Sequence, residues 1–317
     1  MTDFPFQRVL VTGGSGFLGS YVVEKLQARG ATVYAPSSDD YDLCERAEVK
    51  DLFDDIDPDC IIHCAAYCGG IGLNEGSPAD MWDFNVMMGL YLLMRARIEA
   101  VRKFISIGTI CSYPENTPVP FREEDLWNGY PEPTNAAYGM AKKTLIIQSQ
   151  AYRAQYGFNS INLLLANLYG PRDNFDPETS HVIPAIIRKC VEAVETGAQS
   201  ITLWGTGRPT RDFLHVEDAV DAILLAAERY DSSDPVNVGT GVAISIEEIA
   251  CLIASQCGFR GKIQWDHSRP DGQMNRWLEV SKANAKFGFN AKRWLGAGLR
   301  ETVDWYKAQR TAHATKA

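Results

Sequence analysis

Positive charge is in short supply in this chain. Its 31 Lys and Arg face 40 Asp and Glu, a formal charge of −9. Surfaces for nucleic acid or anionic lipid are built from a positive excess, so neither partner is expected. Also lacking is any apolar run near the ~20 residues that a membrane-crossing helix needs. The opening Met1-Thr-Asp-Phe-Pro-Phe6 has neither the basic nor the apolar stretch of a signal peptide, so a cytoplasmic protein is expected. No internal repeat, low-complexity tract or flexible linker interrupts the sequence. Eight cysteines without a secretion signal are expected to be thiols rather than disulfides. Cys60, Cys64 and Cys68 are evenly spaced, yet Asp59-Cys-Ile-Ile-His-Cys-Ala-Ala66 reads as a buried strand. Residues four apart on a strand lie roughly 13 Å apart, too far to share a metal, so none is expected.

What is present points to an α/β fold. The length of 317 residues and 45% hydrophobic content allow one large domain or two. Strands read at about 7–12, 31–35, 59–64, 103–108 and 160–167, with helices between them at about 17–29, 45–54, 80–100 and 136–156. Runs such as Ile161-Asn-Leu-Leu-Leu-Ala166 suit strands covered on both faces. This alternation predicts a doubly wound parallel sheet. After Gly170-Pro171 the loops lengthen, and helices read at about 181–196, 217–229, 245–257 and 298–309, the third opened by a capping box of Ser245 and Glu248. Pro235-Val-Asn-Val-Gly239 looks like one more strand of the first sheet. The expected organisation is therefore interleaved: 1–170 with about 208–240 in the sheet domain, and 171–207 with 241–317 in a smaller α/β C-terminal domain.

The most informative segment is Thr12-Gly-Gly-Ser-Gly-Phe-Leu-Gly19, between an apolar strand and an amphipathic helix. It satisfies G-x-G-x-x-G at Gly14, Gly16 and Gly19, and G-x-x-G-x-x-G at Gly13, Gly16 and Gly19. Early glycines permit a tight turn and close approach of a pyrophosphate, and the last lets the helix pack on the strand. The helix N-terminus offers free N–H groups and the positive end of its dipole to the phosphates. A dinucleotide site follows. Further along, Tyr138 and Lys142 form Y-x-x-x-K, one helical turn apart on one face. An ammonium beside a phenol is expected to favour the phenolate and fit the tyrosine for proton transfer near neutrality. Thr109, at the end of the strand Ser106-Ile-Gly-Thr109, supplies a hydroxyl for the same substrate oxygen.

Glycine turn, strand-end Thr and Y-x-x-x-K in this order resemble the extended short-chain dehydrogenase/reductase family over nearly the whole chain. The resemblance implies a Rossmann domain, a C-terminal domain for a nucleotide sugar, and hydride transfer at a sugar carbon served by Tyr138, Lys142 and Thr109. Finer motifs narrow it: Ile62-His-Cys-Ala-Ala66, Gly69-Gly-Ile71, Cys111-Ser-Tyr-Pro114, Glu132-Pro-Thr-Asn135, Asn167-Leu-Tyr-Gly-Pro171, Asp173-Asn-Phe175, Ser180-His-Val-Ile-Pro184, Arg211-Asp-Phe-Leu-His-Val216 and Pro270-Asp-Gly272. Together these resemble the GDP-L-fucose synthase branch, the GDP-4-keto-6-deoxy-D-mannose 3,5-epimerase/4-reductases.

Carried onto this sequence, the resemblance makes Cys111 and His181 the acid/base pair of epimerisation. Protons beside a ketone are acidic, inversion needs groups on both faces of the ring, and thiol and imidazole titrate near neutrality. It implies a cofactor lying along Gly13, Ser15, Gly16, Phe17, Leu18 and Gly19, then Ser37, Ser38 and Asp42, then Ala65, Ala66, Lys142 and Asn167. The GDP-sugar would meet Asn167, Lys189, Trp204, Arg211 and Asp271. Such enzymes usually favour NADP through basic residues near the adenosine phosphate. Here the second-strand loop is Tyr34-Ala-Pro-Ser-Ser-Asp-Asp40 and the glycine turn carries Ser15, with no Arg or Lys in either. Either NADP or NAD therefore remains open as cofactor. Members commonly form homodimers through helices corresponding to 80–100 and 136–156. Two other readings stand at this point: a related GDP-sugar 3,5-epimerase or keto-sugar reductase with a different product, and a non-catalytic NAD(P)-binding regulator.

Overall fold

The computed structural model describes residues 4–314. The first half alternates as expected: β1 (Arg8–Thr12), α1 (Phe17–Gln27), β2 (Thr32–Tyr34), α2 (Arg46–Ile56), β3 (Cys60–His63), α3 (Ile71–Gly76), α4 (Pro78–Ile98), β4 (Lys103–Thr109), α5 (Ala136–Tyr156) and β5 (Ser160–Leu165). The second half continues with β6 (Asn167–Tyr169), α6 (Val182–Thr196), β7 (Ser200–Trp204), β8 (Thr210–Arg211), β9 (Phe213–His215), α7 (Val216–Arg229) and β10 (Val236–Val238). It ends with β11 (Ile244–Ser245), α8 (Ile246–Cys257), β12 (Lys262–Asp266), β13 (Asn275–Arg276), α9 (Ser281–Phe287) and α10 (Leu295–Ala314).

Six strands form one parallel sheet in the order β10-β5-β4-β3-β1-β2. Successive side chains alternate between its faces. On β1, Val9 and Val11 enter one hydrophobic cluster with Val22 of α1 and Ile223 of α7. Leu10 enters another, with Leu52 of α2 and Leu92 of α4. Both faces are thus covered by helices, the doubly wound arrangement that the buried apolar runs predict. The strand expected at Pro235–Gly239 is β10, parallel to β5. The capping box of Ser245 and Glu248 opens α8. All eight cysteines are unpaired. Among the described residues, no helix is long and apolar enough to cross a membrane.

Several short elements differ from the sequence reading, and two of the differences shape the domains. The strand expected to run to 167 breaks at Ala166. The Ala166 N–H donates to Val238 on β10, but the Asn167 N–H donates to Asp212, so β6 leaves the sheet and pairs with β9. The reading also missed β7 and β12, which pair in parallel. On β7, Ile201 and Leu203 are buried between exposed Ser200, Thr202 and Trp204, a two-residue period. They join Ile187 of α6, Ile253 of α8 and Val303 of α10 in a third core, apart from the sheet.

Candidate active site

The carboxyl ends of β1, β3, β4 and β5 open on one cavity of about 910 Å³. It lies where β1 is flanked by β2 on one side and β3 on the other, the crevice in which doubly wound sheets bind ligands. Every residue singled out above as a cofactor, catalytic or substrate contact lines this cavity.

The glycine turn forms one end. Gly13 has φ of +67°, and a Cβ on Gly19 would overlap the Gly13 carbonyl, so this turn closes against α1 only with glycine at both. Gly14 packs on Ala35 and is not on the wall, so the spacing of Gly13, Gly16 and Gly19 is the one the cavity uses. The first turn of α1 holds no acidic side chain, leaving its positive dipole end unopposed. Beneath the turn, buried Thr12 Oγ1 and His63 Nδ1 lie 2.8 Å apart and tie the ends of β1 and β3 together. Burial, aided by the Lys142 charge, pushes His63 down to about 3, so its ring stays neutral. In the loop after β2, Asp40 accepts the Ser37 N–H and hydroxyl, both at 2.8 Å, which holds its carboxyl below the usual range. The Asp42 carboxylate accepts the Cys44 N–H at 2.8 Å. Among the described residues, no Lys or Arg from the first 44 positions lines the cavity.

Midway, Thr109 ends β4 and its Oγ1 accepts the Cys111 N–H at 3.1 Å, shaping a short 3-10 turn at Ile110–Ser112. The Ser112 hydroxyl donates to the Gly139 carbonyl at 3.1 Å and docks this turn on α5. Tyr138 and Lys142 of α5 therefore share the cavity with Thr109 and Cys111, the Lys142 ammonium 5.8 Å from the Tyr138 ring centroid. Contrary to what the Tyr138–Lys142 spacing predicts, the phenol is not depressed. Burial, with the neighbouring Cys68 and Cys111, pushes Tyr138 well above its ordinary value. Burial also pulls Lys142 down to about 8. The lysine stands over the ring face rather than against the hydroxyl, and desolvation outweighs its charge. Tyr138 is thus a neutral phenol with a proton to give.

Opposite, His181 precedes α6 as its N-cap by position, but its side chain makes no capping bond and opens on the cavity. His181 is exposed to the open cavity, and desolvation by the walls around it, then the charge of Arg276, pushes it below its ordinary value. The Arg276 guanidinium donates to Cys111 Sγ at 3.4 Å and to Asn167 Oδ1 at 3.5 Å. Of the triplet of evenly spaced thiols, Cys60 is buried in β3 while Cys64 and Cys68 line the cavity.

The far end is cationic. Arg211 is buried, donates to the Thr210 and Asp271 carbonyls at 2.8 and 3.4 Å, and is lowered to about 9 by burial and then by Arg276. Lys189 donates to the Thr202 carbonyl at 2.7 Å. Trp204 presents a half-exposed ring with the Arg269 guanidinium 4.8 Å from its centroid. Asp271 has both carboxylate oxygens engaged by Thr206, at 2.7 and 2.8 Å, so it builds the Gly205–Gly207 turn.

Residues 9–239 match the model of the NAD dependent epimerase/dehydratase family. The chain belongs to that family. It is 39% identical to GDP-L-fucose synthase 1 of Arabidopsis thaliana over 300 residues, covering 94% of this chain and 93% of that one. Among solved structures it resembles a GDP-6-OMe-4-keto-L-xylo-heptose reductase from C. jejuni, with a TM-score of 0.90, 28% identity and coverage of 96% and 98%. A GDP-L-fucose synthetase from Naegleria fowleri bound to NADP is similar at a TM-score of 0.85, 28% identity and coverage of 98% and 97%.

In this member of the family, one site residue that the sequence did not reveal is Arg276. It sits in a two-residue strand with no periodicity to mark it. Its one signal is three-dimensional: β13 pairs with β8 so that Arg276 stands beside Arg211. Arg188, next to the expected Lys189 on α6, also lines the cavity.

Proposed function

We propose that this NAD(P)-dependent enzyme is a GDP-L-fucose synthase, inverting C3 and C5 of GDP-4-keto-6-deoxy-D-mannose and reducing its C4 ketone to give GDP-L-fucose. The observation that carries this reading is the convergence of Cys111, His181 and Tyr138 on one cavity, between a glycine turn and a cluster of cations. The turn fits a dinucleotide: glycine at 13 and 19 lets it close tightly on its neighbours, and the α1 N-terminus faces the cavity. A nicotinamide held there supplies hydride for C4. Tyr138, neutral through burial, gives its proton to O4, with the Thr109 hydroxyl and the Lys142 charge orienting that oxygen. Cys111 and His181 exchange protons with the carbons flanking the ketone, one removing and the other returning, so that each centre inverts. Arg211 and Lys189 hold the diphosphate and Trp204 covers a ring. The same reading assigns 1–170 with about 208–240 to the cofactor and 171–207 with 241–317 to the nucleotide sugar, in a homodimer.

The cofactor loop supports a weak preference between NADP and NAD. Ser37 and Ser38 can bond a 2′-phosphate, whereas Asp39, Asp40 and Asp42 repel one or accept from a free ribose hydroxyl. Incubation with GDP-4-keto-6-deoxy-D-mannose and each reduced cofactor, followed by product analysis, tests the whole reading. GDP-L-fucose is expected; a reduced but uninverted sugar would overturn it. That outcome would favour a second reading, a keto-sugar reductase with a different product, which the likeness to a GDP-heptose reductase supports.

A further inference from the structure

Arg276 lines the cavity beside Arg211 and bonds the Cys111 sulfur. It is 9% exposed, and its Nε is buried without a partner. Among the described residues, no carboxylate stands within ion-pair distance of it. A buried guanidinium with no counter-ion is costly unless something nearby takes negative charge. Its two bonds name the candidates: Nη1 to Cys111 Sγ and Nη2 to Asn167 Oδ1. Asn167 is neutral and already oriented, its Nδ2 donating to the Asp212 carbonyl at 2.8 Å. The sulfur alone of the two can become an anion.

Other groups face that sulfur from every side. Cys68 comes from the loop after β3, Tyr138 from α5 and Arg211 from β8, while His181 of α6 faces Arg276 itself. Cys68 and Tyr138 are uncharged when protonated. Arg211 bonds the Thr210 and Asp271 carbonyls, and no hydrogen bond joins it to the sulfur among the described residues. Among the described residues, the one charged group bonded to Sγ is Arg276.

We infer that Arg276 is a positioning residue for Cys111, anchoring its sulfur beside the ring and serving as counter-charge whenever that sulfur is deprotonated. The inference rests on the proton-transfer role given to Cys111 above. When the S–H bond breaks, the electron pair stays on sulfur and the proton passes to the sugar carbon or to solvent. When sulfur takes a proton, the pair forms the new S–H bond. A guanidinium at hydrogen-bond distance favours the charged sulfur in both directions.

The test has two readouts on the full chain. First, without substrate, iodoacetamide alkylation of Cys111 at pH 7 is followed by peptide mass spectrometry, with Cys68 as the control thiol in the same cavity. R276M should slow Cys111 alkylation at pH 7 by about tenfold, as loss of one charge-assisted hydrogen bond implies. R276K should restore most of the rate and Cys68 should be unaffected. R276Q, which keeps donors without charge, should behave as R276M does and stands in for it should R276M fail to fold. Alkylation of Cys111 unchanged in R276M and R276Q, or Cys68 slowed equally, overturns the inference. Second, deuterium entry from solvent at C3 and C5 of GDP-4-keto-6-deoxy-D-mannose should fall about tenfold or more in R276M and recover in R276K. Exchange at the wild-type rate in C111S sinks the functional reading, whereas the alkylation profile judges the Arg276 pairing by itself, so the two failures are told apart.

Discussion

The two ends of the cavity meet charge in opposite ways. At the glycine turn the walls offer backbone amides and a helix dipole, with no Lys or Arg from the first 44 positions among the described residues. At the other end stand Arg188, Lys189, Arg211 and Arg276, of which Arg211 and Arg276 are buried. The first solution is local, because eight consecutive residues create it. The second is assembled from α6, β8 and β13, whose sequence positions are scattered across almost ninety residues. A phosphate held by amides depends on backbone shape; one held by buried guanidinium groups depends on charges whose desolvation has already been met by the fold.

The largest effect is expected at the junction of the two ends. Tyr138→Phe keeps the ring and removes the proton donor, so reduction of the keto sugar should slow by roughly 100-fold or more while cofactor affinity changes little. Single-turnover reduction and cofactor titration measure the two separately. Near wild-type reduction would remove Tyr138 from the mechanism.

Next comes the cationic end by itself. Arg211→Met should raise KM for the GDP-sugar by about 10- to 100-fold, the range of a charge-assisted hydrogen bond, and leave cofactor affinity within a factor of about two. A matching loss of cofactor affinity would mean that the two ends are not independent. The cofactor end has its own test. With no cation beside the loop after β2, kcat/KM should favour NADPH over NADH by less than about 100-fold, or roughly 2.7 kcal/mol. A larger ratio would reveal a phosphate site in that loop.

The same contrast explains what could be read from the sequence. The glycine turn, the Tyr138–Lys142 spacing and the Ser245–Glu248 cap are each specified within a few residues, so pattern and geometry agree. The break at Ala166 was hidden because the apolar run Ile161 to Ala166 leads straight into Asn167; a carbonyl at Asp212 diverts the chain there. Arg276 was invisible for the same reason, since its meaning comes from Cys111, 165 positions away. The state of Tyr138 was misjudged because spacing shows that a lysine is near but not how much solvent is gone.

The smallest effect is one the wild type conceals, and it again sets the two regions against each other. His63, under the glycine turn, is pushed by burial from 6.5 down to about 3. The unfolded chain binds its proton more readily, so its contribution to stability rises with pH between about 3 and 6.5. Asp173, in the loop after β6, is pushed by burial from 3.8 up to about 7, and its Oδ2 has no partner. Here the folded state binds the proton more readily, so its contribution is full below 3.8 and is lost as pH rises towards 7. Between 3.8 and 6.5 the two slopes oppose and largely cancel. Asp173→Asn keeps the shape and removes one of them. Relative to wild type, the variant should gain stability steadily as pH rises from about 4 to 7, by on the order of 1–3 kcal/mol across that window. Urea denaturation of both proteins at a series of pH values measures the difference. A difference that stays constant with pH would show that Asp173 is ionised in the folded protein throughout, and that this loop is far wetter than its burial implies.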